Sequence, residues 1–294
     1  MTDTALRQRR GEAPDTPREA YNLLPLRVTI GIVAALLLAA AAGWAYTVRE
    51  ADEMSGMVMG LGQVGGAMPM AMSFLSFLAM WAAMMVAMMS PTLAPVALAH
   101  RAAVRDKGIG SIPTVAFVVG FLLVWSATGL AAYVPYRLIQ ELPASAGDSR
   151  WLPTLAGAVL VGVGALQFSG WKVHCLRMCR APRAAIRGMD PLGSFATSFR
   201  TGLRHGWHCL GCCWALMVVL LVVGVMNLAW MAAIAAIFFV DKHWAHGEGL
   251  TRLVGAFFVA VGLVVLAFPD VLATLSGVEL HAPMKMGDMG DMPM

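Results

Sequence analysis

Seven apolar runs divide this chain, at Val28–Thr47, Ala71–Ala99, Ser111–Tyr136, Trp151–Gly170, Gly206–Met226, Leu228–Val240 and Leu253–Leu275. Crossing the hydrocarbon core of a bilayer takes about 20 apolar residues in helical form. All but Leu228–Val240 reach that length. Inside lipid a backbone must satisfy its own hydrogen bonds, and a long apolar run without alternation does so as a helix. Only 13% of the residues are charged and 59% are hydrophobic, with a mean hydropathy of +0.71. A soluble domain carries about 25% charged residues, so this chain lacks the polar surface to stay dissolved. The expected fold is an all-α polytopic membrane helix bundle of about seven transmembrane helices.

The segments between the runs set the domains and the orientation. Residues 1–27 are polar, with five arginines, four acids and three prolines, the composition of a disordered tail. Residues 28–275 form the bundle, and residues 276–294 a methionine-rich tail. The first run is too long for a signal-peptide core and lacks a clean small-residue cleavage site, so an uncleaved anchor is expected. With seven crossings, the N-terminus and the loops 100–110, 171–205 and 241–252 share one side and carry 17 Lys and Arg; the other side carries 4. The positive-inside rule then places the N-terminus in the cytoplasm and the C-terminus outside it. The setting expected is a bacterial inner membrane, with the lipid bilayer as partner. A net charge of +4, spread over connecting loops, gives no footprint for nucleic acid.

Sulfur is divided between the two sides. Of 22 methionines, 11 lie between Met54 and Met89, and five fall in the last eleven residues, among them Met284, Met286, Met289 and Met292. In the second run Met80, Met84 and Met88 step by four, and Met85 and Met89 form a parallel row. Such a stripe suits core packing as well as ligation. The hydrophilic MKMGDMGDMPM tail has no core to fill, and His281, Asp288 and Asp291 add ligand atoms there. Pro91 and Pro95 are expected to kink the end of the second helix.

The five cysteines lie at the opposite face. RHGWHCLGCCWALM places His205, Cys209 and Cys212 or Cys213 on one helical face, with His208 and Cys212 as a second pair at the same spacing. In WKVHCLRMCRAP, Cys175 and Cys179 share a face. Thiol, thioether and imidazole donors suit Cu(I), with Zn(II) as the alternative. With both helix ends at the same boundary, Cys175 and Cys179 can meet Cys209 and Cys213 in a four-sulfur or a mixed Cys/His site. Asp241 and Lys242 are expected to pair with each other at the membrane boundary. His243 and His246 stand one turn apart beyond them.

AMWAAMMVAMMSP, KVHCLRMCRAP and GWHCLGCCWALM, in that order within the apolar runs, resemble a bacterial family of metal-binding integral membrane proteins that includes copper chaperones for tyrosinase-type oxidases. The resemblance covers roughly Phe74 to Leu266. It implies that Met84, Met85, Met88, Met89 and Pro91, then Lys172, Cys175, Cys179, Arg180 and Pro182, then Gly206, Cys209, Gly211, Cys212, Trp214 and Met217 are motif positions, with Asp241-Lys242 an acid–lysine pair. A cuproenzyme or soluble copper chaperone is the implied partner.

Copper handling without catalysis, as metallochaperone or transporter, is the leading expectation. The alternatives are a membrane thiol-disulfide oxidoreductase and an accessory membrane subunit without metal. No phosphate-binding loop is present in the sequence, which argues against ATP-driven pumping.

Overall fold

The apolar runs fold as helices, and most extend beyond the limits that hydropathy suggests. The computed structural model describes residues 24–54, 57–58, 60–64, 72–105, 108–146, 149–180, 194–244 and 247–277. In chain order the helices are α1 (Leu26–Glu53), α2 (Phe74–Arg105), α3 (Ile112–Gln140), α4 (Trp151–Leu166), α5 (Gly170–Arg180), α6 (Phe195–Val223), α7 (Leu228–His243), α8 (Gly247–Ala267) and α9 (Val271–Leu275), with short 3-10 turns at Leu61–Gln63 and Ala144–Ala146. Among the described residues there is no β-strand. Almost all of the expected tails 1–27 and 276–294, including Met284, Met286, Met289 and Met292, lies outside the described residues, as does His246.

Five helices are long and apolar enough to cross a membrane: α1, α2, α3, α6 and α8. The pair α4 and α5, bent by 59° at a short break, makes a sixth if counted as one span. At 16 residues and about 1.5 Å per residue, α7 falls short of a full crossing.

The basic stretch 171–204 departs most from its expected form. In place of a loop, it begins as α5, and its last residues are the opening turns of α6. In the described part of α6 the arginines leave one face free of charge, whereas Lys172 on α5 is buried. Ser198, Thr201, Gly202 and His205 turn inward while Arg200 and Arg204 face out. Ser194 caps α6, its Oγ accepting from the Thr197 amide at 3.1 Å, which fixes the start of the helix. In α2 the helix continues unbroken through Pro91 and Pro95 as far as Arg105.

Small residues let the helices approach closely, as is common between helices in lipid. The helix α3 lies along α6, α4 along α8, α1 along α2, and α5 on α6. Where α3 and α6 cross, a methyl group added at Gly202 would sit 2.1 Å from the Phe117 carbonyl oxygen. Polar side chains also tie the start of α2 to α3. The Tyr136 hydroxyl accepts from the Met72 amide at 3.0 Å, and Trp81 Nε1 donates to Thr128 Oγ1 at 3.1 Å. Met80, Met84, Met85, Met88 and Met89 are all buried in the principal core.

Candidate metal centre

Two helices supply the thiols. The helix α6 carries Cys209, Cys212 and Cys213, and α5 carries Cys175 and Cys179; all five are free and buried. What brings α5 onto α6 is Gly211: a methyl group there would lie 2.9 Å from Cys175 Sγ and 3.2 Å from Trp171 Nε1. With that contact made, the sulfur one turn further along α5 reaches the cluster. Cys179 Sγ stands 3.8 Å from Cys212 Sγ, and Cys212 Sγ stands 3.3 Å from Cys213 Sγ. Cys212 also donates to the Cys209 carbonyl at 3.1 Å. The Cys209 thiol is within hydrogen-bonding reach of those of Cys179, Cys212 and Cys213. Four thiols, from two helices, form one knot.

The members differ from the four-sulfur set that spacing suggests. Cys212 stands with Cys179, while Cys175 faces away into a groove of about 900 Å³ that His174, His208, Trp171, Trp207 and Trp214 also line. Helical spacing told which residues share a face, but the roll of α5 about its axis, set at Gly211, decides which sulfur points inward. His205 is buried one turn before Cys209, with its ring 5.6 Å from that of Phe121 and 6.0 Å from that of Phe117. His208, half-buried, belongs to the groove.

A third helix completes the knot. Lys242 of α7 donates to Cys209 Sγ at 3.0 Å and to Thr92 Oγ1 at 3.2 Å, and its Nζ lies 3.8 Å from Met89 Sδ. Of the methionine stripe, Met89 is thus the member that shares a contact with the thiol knot. Asp241 does not pair with its neighbour, contrary to expectation. Successive residues on a helix point about 100° apart, and Asp241 turns to the other side. There Lys172 Nζ lies 3.5 Å from its Oδ2, and Thr251 Oγ1 donates to its Oδ1 at 3.2 Å. Lys172 also donates to Gln167 Oε1. Thr92 and the inward aim of Lys242 were missed from sequence; a lysine ending an apolar run was the available signal.

Among the described residues, no group of three or more His, Cys, Asp and Glu stands in an arrangement that could hold a metal ion as it is. The thiols touch one another and the ammonium. A count of those four residue types omits thioether sulfur, however, and Met89 stands at the same ammonium as Cys209. The donors are soft, which favours Cu(I) over hard cations.

The family model of the PpoB2 copper chaperones matches residues 78–265, well over half of the sequence. The chain belongs to that copper chaperone family. The match runs from within α2 to within α8 and takes in all five cysteines and Met80 to Met89. Copper handling is the family's role. No curated protein and no solved structure matches this chaperone.

Proposed function

We propose that this chaperone is a multi-pass protein of the bacterial inner membrane that holds Cu(I) at the knot of Cys179, Cys209, Cys212 and Cys213. The observation that carries the reading is the meeting of four free thiols from two helices beside one thioether, with sulfur separations of 3.8 and 3.3 Å. Cu(I) is content with few soft ligands, so the collapsed knot needs small side-chain movements to open around it. Met80, Met84, Met85, Met88 and Met89 form a thioether column leading to the knot. The tail methionines 284, 286, 289 and 292 collect copper outside. His205 and His208 flank the route, and Cys175 receives or releases the ion in the groove. A cuproenzyme or soluble copper chaperone is the proposed partner, and zinc the competing cargo.

The test is a Cu(I) titration of the full chain in detergent under reducing conditions, against a chromophoric chelator. Cysteine-dependent binding supports the reading. Copper binding that survives loss of Cys179, Cys209, Cys212 and Cys213 together overturns it. For orientation, reporter fusions after Val48 and Gly277 should read extracytoplasmic and one near Arg187 cytoplasmic, a scheme that needs the short α7 to carry the chain back across as a seventh pass; a cytoplasmic Gly277 reporter would mean six crossings and end the two-sided scheme.

A further inference from the structure

Lys242 is placed unlike any other cation described in this chain. Its ammonium stands at the point where donors from two other helices converge: Cys209 Sγ at 3.0 Å, Thr92 Oγ1 at 3.2 Å and Met89 Sδ at 3.8 Å. Its Nζ also lies 5.7 Å from the centre of the Phe238 ring. A cation surrounded by soft sulfur, a hydroxyl and a π face is a costly use of a lysine inside a membrane protein. The cost points to a function.

We infer that Lys242 is an exchangeable stand-in for the cargo: its ammonium occupies the cation position of the sulfur site when copper is absent and leaves when Cu(I) arrives. The inference rests on the copper-binding reading above and adds a residue that sets how readily the ion is taken up and let go. The exchange balances. The ammonium withdraws from the Cys209 sulfur and Cu(I) takes its place; each knot thiol that ligates the ion as a thiolate gives up its proton to solvent, and no electron moves. Lys242 has somewhere to go. It sits on the last turn of α7, its side chain is only part-buried, and His243 and Trp244 beside it are exposed. Long lysine stems can carry the charge from such a position to the membrane surface.

Because the ammonium returns as copper leaves, Lys242 lowers the retention of the ion, which suits a carrier that must hand it on. The site without the lysine should hold copper too well.

Two measurements on the full chain in detergent test this. The first follows amine acetylation of Lys242 by mass spectrometry with and without one equivalent of Cu(I). Labelling should be low in the copper-free protein and rise about tenfold on loading, an exposure change that a purely structural lysine would not show. The second compares Cu(I) release to a chelator from the parent and Lys242→Met. The variant should release about tenfold more slowly, equivalent to about 1.4 kcal/mol. Cys209-dependent copper binding with unchanged Lys242 labelling and unchanged release would overturn the stand-in role and leave the copper reading intact. Absence of Cys209-dependent binding in the parent would overturn both. Should Lys242→Met fail to fold, the labelling of the parent decides alone.

Discussion

Two lysines among the described residues enter the interior, and they are answered by different chemistry. Lys172 meets the carboxylate of Asp241 and the amide oxygen of Gln167, both hard oxygen partners. Lys242, the residue next to that carboxylate in sequence, meets two sulfurs and a hydroxyl. The first arrangement ties α5, α7 and the first turns of α8 into one unit, since Thr251 also donates to Asp241. Nothing in it invites exchange. The second is an ammonium against soft donors, which a soft cation satisfies better. Adjacent positions on α7 thus serve as a fixed strut and a movable one.

The largest effect should come from breaking the strut. Asp241→Asn leaves Lys172 charged and buried, at a cost of about 3–5 kcal/mol, visible as a lowered unfolding midpoint in detergent. Replacing the pair together, Lys172→Met with Asp241→Leu, should recover most of that loss, because a buried pair exchanged for apolar residues is often close to neutral. A double variant as unstable as the single one would mean that Asp241 does something other than answer Lys172.

The cysteine knot comes next. Loss of Cys209 or Cys212 should weaken Cu(I) binding at least tenfold, about 1.4 kcal/mol. The two losses together should be far from additive, as expected for ligands of one ion. Cys175→Ala should change equilibrium affinity little, since its sulfur points into the groove. Equal, additive losses across all the cysteines would dissolve the distinction between knot and groove.

An oxidant separates the knot from the lysine pair in another way. Diamide should join Cys179 to Cys212, reducing the count of free thiols by two and stopping copper uptake, with dithiothreitol restoring both. Uptake that persists after the thiol count falls would remove Cys179 and Cys212 from the site.

The smallest effect is expected in the thioether column. Met and Leu have similar volumes, so Met84→Leu, Met85→Leu and Met88→Leu should each cost less than about 1.5 kcal/mol in stability. Copper transfer to an acceptor should slow most for Met89→Leu, the sulfur that shares the Lys242 ammonium. Identical transfer rates in all four would make the column packing alone.

Hydropathy made most of this fold legible, because helices in lipid are written as apolar runs. It failed at 171–180 and 195–204, where outward-facing Arg177, Arg200 and Arg204 on two helices look like a loop when counted without regard to phase. It did mark the run that becomes α7 as short, and α7 at 16 residues remains so. At the site, residue types and spacing pointed to soft-metal chemistry and to Cys209, Cys212 and Cys213 on one helix. The placing of Cys212 opposite Cys179, and of Cys175 outside, depends on how close two helices come at a single glycine. Adjacency in sequence suggests an Asp241–Lys242 pair. The helical turn between them sends each to a separate partner.

The 59° elbow between α4 and α5 has a mechanical meaning. Its short break, Gln167 to Ser169, is stitched locally: Ser169 Oγ donates to the Leu166 carbonyl at 2.7 Å and accepts from the Lys172 amide at 3.2 Å. Beyond it α5 is an arm of 11 residues with Cys175 and Cys179 one turn apart along its length. An arm that pivots at its root converts a small angular change into a larger displacement at its tip. Cys179, the farther of the two sulfurs from the elbow, therefore moves more than Cys175 for the same swing. Opening the knot and shifting the groove become a single motion with unequal strokes. Adding one alanine at the elbow would instead roll the arm by about 100°, aiming Cys179 at another wall and leaving the sulfurs of α6 without their counterpart.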